Sequence, residues 1–327
     1  MAVEGRSIIF TGPAKVEVWD VTFDDPAPNE VVVRTEVSAI SPGTERWILM
    51  GERPQDSNFP SIPGYQNLGI VEAIGSAVTK VAPGQRVLAG LTKAPREAGL
   101  SWGGHSGVSV LDENLAVPVP TRVSPQEAVF AWLAAVGLHG HNIVGTKRGD
   151  KIAMVGQGLI GQFTAQIARM RGCKIITSDA NPRRVALSNA HSANRCVDAT
   201  KEFLHEAIWK EWKEGADIAF ESTGFTQLVD EAILCLKARG KFVWQGWYPD
   251  NASFYFHTPH SKQITMHFPC SFGGVENLAQ VLQWLEEKKL TAAPFITHVF
   301  SAEEATKGYD LLIRKDTNAL GIVFDWR

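Results

Sequence analysis

The hydrophobic pattern changes character partway along the chain. Over roughly the first third it comes in short runs cut by glycine and proline. Val31 to Ser38 alternates and is rich in β-branched residues, Gly69 to Ile74 is a second strand candidate ahead of Gly75, and Pro83-Gly84 marks a turn before the apolar run at Val87. Many short strands punctuated in this way predict a small β-barrel-like domain. From Ser124 the texture differs. Ser124-Pro125-Gln126-Glu127 is a helix start, with a Ser cap, Pro at the first helical position and an acid in the first turn. An α/β alternation follows: strand at Lys151 to Val155, helix at Gly161 to Arg171, strand at Lys174 to Thr177. Strands at Asp217 to Glu221 and Lys241 to Gln245 enclose a helical pattern from Thr226 to Leu236. Such spacing implies a parallel sheet covered on both faces. Beyond Gly273-Gly274 the pattern predicts a helix (Val275 to Lys289) and a closing strand (Gly321 to Phe324).

Length and composition narrow the class. A chain of 327 residues suggests two domains. With 44% apolar and 20% charged residues and a formal net charge of -3, it has material for a core and no basic surface for nucleic acid or anionic membrane. The longest apolar stretch, Ala128 to Leu138, is far short of the roughly 18 residues of a membrane span. Met1 to Phe10 lacks the apolar run of a signal peptide. Cys173, Cys196, Cys235 and Cys270 are too far apart for a disulfide framework or a zinc knuckle. These features predict a cytoplasmic protein in a reducing compartment.

Gly156-Gln157-Gly158-Leu159-Ile160-Gly161 lies between a predicted strand and a predicted helix. The six-residue pattern is weak alone, and here its context matches a dinucleotide fingerprint. The first glycine permits a tight turn, the second admits a pyrophosphate, and the third lets helix and strand pack closely. The helix N-terminus adds free N–H groups and partial positive charge. Asp179 ends the next strand, where a carboxylate would accept hydrogen bonds from a ribose. It would repel a 2′-phosphate, so NAD is favoured over NADP, with Arg183 and Arg184 tempering that preference. The bland alternative is a nucleotide-free glycine turn with Asp179 as a helix cap.

Further segments carry a resemblance: Pro63-Gly64-Tyr65-Gln66-Asn67-Leu68-Gly69, Pro83-Gly84-Gln85-Arg86-Val87, Gly103-Gly104-His105, Gly149-Asp150, Glu221-Ser222-Thr223-Gly224 and Ile296-Thr297-His298. In this order the chain resembles the medium-chain dehydrogenase/reductase superfamily over nearly its whole length. The resemblance implies an α/β protein with a GroES-like β-barrel catalytic domain (1–131 and 273–327) and a doubly wound Rossmann domain (132–272). Substrate and nicotinamide would meet in the cleft between them. It also implies cofactor contacts at Ser222, Thr223 and Gly246, and a homodimer joined at the Rossmann sheet edge, with Phe242 to Trp247 and Ile264 to Phe268 as candidate edge strands.

The sequence departs from that family at the metal. Pro42, in Ser41-Pro42-Gly43-Thr44-Glu45, stands where zinc-dependent members have Cys; Tyr65-Gln66 replaces His-Glu; the remaining ligand position falls near Trp132. Pro and Trp offer no thiolate or carboxylate, and Tyr and Gln are poor substitutes. The four-cysteine structural-zinc loop is absent too, because no Cys precedes Cys173. The segments containing Ser41 to Arg46 and Pro63 to Gly69 are most similar to the zinc-free bacteriochlorophyllide a dehydrogenase group and to sugar or polyol dehydrogenases.

Without zinc, another group must handle the hydroxyl proton. Thr44 matches the family's proton-relay hydroxyl. Glu45 is a candidate base or else a partner of Arg46, Tyr65 a hydrogen-bond partner of the substrate oxygen or a filler of the vacated cavity, and His105 a cleft residue or a packed one. Trp47, Trp102 and Trp132 would suit the face of a sugar, cyclitol or planar ring, or else ordinary packing. Trp244 and Trp247 flank Gly246; Trp209 and Trp212 read as structural, in a charged helix. His257 and His260, around Pro259, read as a loop, and His139 as structural. The leading expectation is NAD-dependent, zinc-independent oxidation of a secondary alcohol on a small molecule. The alternatives are a zinc-free NAD(P)H-dependent enoyl or quinone reductase and a non-catalytic nucleotide-binding relative.

Overall fold

The computed structural model describes residues 2–249 and 251–327. The chain divides into two compact units, residues 1–132 with 278–327, and residues 133–277.

The second unit is built on one parallel six-stranded sheet. Its spatial order is Arg195–Asp198, Lys174–Asp179, Lys151–Val155, Ala216–Glu221, Leu236–Trp244 and Thr265–His267. Numbered along the chain this is 3-2-1-4-5-6, the doubly wound dinucleotide-binding order. Alternation along the central strand explains the two covered faces. Ile152 and Met154 pack with Ala165 and Ala168 of the helix Leu159–Met170. Ala153 and Val155 pack on the opposite side with Leu204, Ala207 and Ile208 of Leu204–Glu211 and with Val229, Ala232 and Ile233 of Val229–Leu234.

Several expectations need correction here. The helical pattern from Thr226 ends at Leu234, after a 3-10 turn at Thr226–Leu228, because Leu236 already opens a nine-residue strand. That strand lies between two others, so Phe242 to Trp247 is interior; the edge on that side is Thr265–His267. His257 and Pro259 lie in a short helix, His257–Lys262, not in a loop. Trp212 only caps Leu204–Glu211, with its ring in the core.

The first unit holds the antiparallel β structure. Val3–Gly12 and Lys15–Phe23 form a hairpin within a four-stranded sheet, and Glu30–Ala39 is central to a larger sheet, between Gln66–Ile74 and Gly321–Asp325. Ser124 accepts from the Glu127 N–H and starts Pro125–Ala128, as the sequence predicts. The C-terminal segment closes the barrel core: Ala305, Tyr309 and Leu312 pack with Ile8, Phe10, Ile48 and Phe324. No helix among the described residues is long and apolar enough to cross a membrane.

Candidate active site

The fingerprint turn begins where Lys151–Val155 ends. Gly156 has φ +93°, and a Cβ there would lie 2.6 Å from Thr223 Cγ2. A Cβ on Gly161 would lie 2.2 Å from the Gly156 carbonyl oxygen, so packing requires both glycines. Gly158 differs, because a Cβ there would meet nothing within 4 Å. It caps Leu159–Met170 without any side-chain bond, leaving the first-turn N–H groups for a ligand. Leu159 is buried and Ile160 partly so. Gln157 is spent internally: its Nε2 donates to Gly156 O at 2.7 Å and its Oε1 accepts from Ser188 at 2.8 Å.

Asp179 braces this turn. Its Oδ2 accepts from Gln157 N and its Oδ1 from Asn181 N, both at 2.8 Å, and Arg184 Nη1 lies 3.9 Å from Oδ2. Asn181, not Asp179, caps the next helix. Each carboxylate oxygen keeps a further lone pair, so Asp179 can still accept from a ribose hydroxyl. Ser222 Oγ donates to Val155 O and Gly156 O. Glu221, fully buried, accepts from Thr223 N, Thr223 Oγ1, Gly224 N and the Tyr248 hydroxyl, and burial pushes its carboxyl up. Gly246 N donates to Glu221 O, and a Cβ on Gly246 would lie 2.7 Å from Gly224 N. A tight glycine turn with open space at Gly158, a helix end with no side-chain cap bond and a carboxylate at the strand end fit a dinucleotide.

In the first unit Ser41 caps the helix Pro42–Leu49 by position, with Pro42 opening it. Glu45, one turn in, is 0% exposed. Its Oε1 accepts from Ser41 N at 2.7 Å; its Oε2 accepts from the Tyr309 hydroxyl at 2.7 Å and lies 2.9 Å from His105 Nε2. Glu45 therefore has no pairing with Arg46, which faces Glu52. His105 is likewise 0% exposed, an interior residue and no cleft residue. Two glycines explain its position. A Cβ on Gly64, at φ +81°, would lie 2.3 Å from His105 Cδ2, and one on Gly104 would lie 2.7 Å from Tyr65 N.

Tyr65 is partly buried. Its hydroxyl lies 2.7 Å from Ser41 Oγ. Burial, and next the Glu45 charge, push the phenol up to about 12 against the bond with Ser41, so it stays protonated at neutral pH. Its ring is 5.7 Å from that of Trp102, which is 39% exposed. Trp132 is 2% exposed and packs on Gly90, so it presents no ring face, contrary to the grouping of three indoles. Trp47 sits under the Arg46 guanidinium at 5.3 Å.

The donor chemistry here does not fit zinc. Pro42 has no ligand atom, Gln66 is buried with its Nε2 on Ala39 O, and Trp132 is core. Among the described residues, no three His, Cys, Asp or Glu side chains gather in a metal-holding group. Sequence reasoning missed Ser38, Ser41, Tyr309 and Trp326. Tyr309 stands 264 residues from Glu45, and no local pattern signals that pairing.

Residues 27–121 match the alcohol dehydrogenase GroES-like domain family, and residues 160–287 match the zinc-binding dehydrogenase family. The chain is 24% identical to 2-desacetyl-2-hydroxyethyl bacteriochlorophyllide A dehydrogenase of Cereibacter sphaeroides, over 98% of each chain. It is 25% identical to L-threonine 3-dehydrogenase of Stenotrophomonas maltophilia, over 94% of this chain and 96% of that one. Its fold matches L-idonate 5-dehydrogenase from Escherichia coli with a TM-score of 0.87 at 20% identity, over 100% of this chain and 99% of that one. The chain belongs to the medium-chain dehydrogenase/reductase superfamily and is an oxidoreductase of that type.

Proposed function

We propose that the protein interconverts a secondary alcohol and a ketone with NAD and without zinc, on a sugar, cyclitol or other ring-bearing small molecule. The observation that carries this reading is the Tyr65 hydroxyl, in the place of a metal-ligand His and hydrogen-bonded to Ser41. Bound nicotinamide would take or supply the hydride. The chain's own task is then the proton. When Tyr65 donates to Ser41, its lone pair can accept from a carbinol hydroxyl; when Ser41 donates to it, its proton is free for a ketone oxygen. Because the phenol stays protonated, it acts as a relay and a polarising donor, not as a standing base. Trp102 offers the substrate an apolar ring face.

Asp179 supports NAD over NADP, since a 2′-phosphate would meet its carboxylate. We also propose a homodimer, through the free edge of Thr265–His267 beside the 68%-exposed Phe268. Size-exclusion mass measurement tests it, and a monomer at micromolar concentration would count against it.

The test of the activity is reduced-cofactor appearance with NAD or NADP across sugars, cyclitols and aryl secondary alcohols, with and without a chelator. Chelator-resistant turnover with NAD is the expected result. Loss with chelator and recovery with zinc would overturn the metal-free reading. Enone or quinone reduction with NADPH, or cofactor binding without turnover on any substrate, would favour the reductase or the non-catalytic alternative.

A further inference from the structure

Behind Tyr65 runs a buried chain of polar groups that the reaction does not touch. Trp326 Nε1 donates to Ser38 Oγ at 2.9 Å, Ser38 Oγ lies 2.7 Å from His105 Nδ1, and His105 Nε2 lies 2.9 Å from Glu45 Oε2. Tyr309 and Ser41 N complete the carboxylate's partners. Ser38, His105 and Glu45 are all 0% exposed.

The direction of every bond follows from counting hydrogens. An indole N–H can only donate, so Trp326 occupies one lone pair of Ser38. The Ser38 proton then has one acceptor within reach, His105 Nδ1. A nitrogen that accepts carries no hydrogen, so the ring proton sits on Nε2 and points at Glu45. All the Glu45 partners are thereby donors, and its carboxylate is left as an anion. A doubly protonated His105 would need Ser38 to accept twice, stranding a buried hydroxyl hydrogen.

We infer that Ser38 is a positioning residue that holds His105 as its neutral Nε2–H tautomer, which keeps Glu45 an uncompensated anion joined through Ser41 to the Tyr65 hydroxyl. Ser38 thus sets the charge beside the proposed proton relay. This inference rests on the reading of Tyr65 given above. The charged groups acting on Tyr65 are Glu45, which opposes its ionisation, and Arg53, which favours it. The groups facing the His105 ring are Glu45, Tyr309 and the ring of Phe324. With His105 neutral, the Glu45 charge acts undiminished.

The test needs no substrate, so its failure is distinguishable from failure of the alcohol–ketone reading. The full chain, labelled with ¹⁵N in its histidines, is examined by NMR, with His105→Gln used to assign the His105 signals. At neutral pH the expected pattern is a pyridine-type Nδ1 and a pyrrole-type Nε2. Two pyrrole-type nitrogens, or the reversed tautomer, would overturn the inference. Ser38→Ala removes the hydroxyl whose hydrogen requires Nδ1 as its acceptor, so His105 can take up a proton at Nδ1. Phenolate absorbance, taken as the difference between Ser38→Ala and Ser38→Ala/Tyr65→Phe, should then show Tyr65 ionising at lower pH than in the parent protein. An unchanged nitrogen pattern in Ser38→Ala refutes the role of Ser38. A changed pattern with unmoved Tyr65 titration refutes the link to the relay.

Discussion

Replacing Glu45 by Gln keeps the side chain's shape and removes its charge, which isolates the role of the buried anion. Three donors converge on the carboxylate at 2.7 to 2.9 Å, from Ser41 N, Tyr309 and His105. An amide has one acceptor oxygen, so its NH2 must face at least one of them. The stranded donor costs about 1–3 kcal/mol, and the bonds that remain lose their charge assistance, about 1 kcal/mol each. Against this, a neutral side chain avoids the desolvation of a buried ion, a few kcal/mol. The net destabilisation expected is about 1–2 kcal/mol. Glu45→Ala leaves every donor stranded beside a cavity and should cost more, about 3–5 kcal/mol. For a unit of this size the Gln variant should melt roughly 2–8 °C lower, at about 2–4 °C per kcal/mol. Differential scanning calorimetry of the full chain with Glu45→Gln, Glu45→Ala and Tyr309→Phe gives the order, with Tyr309→Phe mildest. A Glu45→Gln variant as stable as the parent would refute the hydrogen count, because it would mean that at least one of the three partners is not a donor.

The glycine turn supplies a matched pair. Gly161→Ala places a Cβ 2.2 Å from a backbone oxygen and should both destabilise its unit by about 1–3 kcal/mol and weaken NAD binding, whereas Gly158→Ala has open space and should weaken binding alone. Cofactor fluorescence titration and urea unfolding separate the two, and equal stability losses would refute the assignment. Asp179→Ser should lower the ratio of kcat/KM with NAD to that with NADP by about tenfold or more, roughly 1.4 kcal/mol; an unchanged ratio would remove Asp179 from cofactor selection. Burial pushes the His141 imidazole down to about 3, despite its bond to Thr164 O. Its folded value lies below its unfolded one, so its contribution to stability is complete above about pH 6.5 and is lost as pH falls toward about 3, at about 1.4 kcal/mol per pH unit. Urea unfolding at pH 7 and pH 5 should show the parent losing about 2 kcal/mol more than His141→Gln, and parallel losses would refute the burial argument.

How much was legible in the sequence depended on how local the cause was. Lys151–Val155 is readable because every residue after Lys151 is buried, on alternating faces, and a glycine turn follows at once. The strand Leu236–Trp244 was half hidden: Lys237, Arg239 and Gly240 look like a turn, and Arg239 does adopt φ +60° while the strand continues through it. The hairpin Val3–Gly12 with Lys15–Phe23 was missed because its polar positions, among them Arg6, Glu17 and Asp20, dilute the alternation that the barrel core imposes on Ile8 and Phe10. At the site, Tyr65 could be found as a residue out of place in a known pattern. His105 and Glu45 could each be suspected, but not their pairing, since 60 residues separate them and only the close approach allowed by Gly64 brings them together.

That pairing bears on how a chain of this superfamily holds a buried acidic residue beside positions that offer no zinc donor set. A carboxylate beside a metal site has a cation to oppose its charge. Glu45 is fully buried, and the nearby positions Pro42, Tyr65 and Gln66 supply no cation and no zinc donor set. An ion so placed is tolerated only when hydrogen-bond donors replace the water it has lost. Those donors come from three distant parts of the chain: the helix cap at Ser41, the loop at His105 and the C-terminal helix at Tyr309. Ser38, whose hydroxyl hydrogen has His105 Nδ1 as its acceptor, places His105 among them. Burial is the first cause that keeps the Tyr65 phenol protonated, and the Glu45 anion adds to it by opposing a second negative charge nearby. A cation placed near Glu45 would cancel that second contribution and bring the phenol's ionisation to lower pH, leaving the contribution of burial in place.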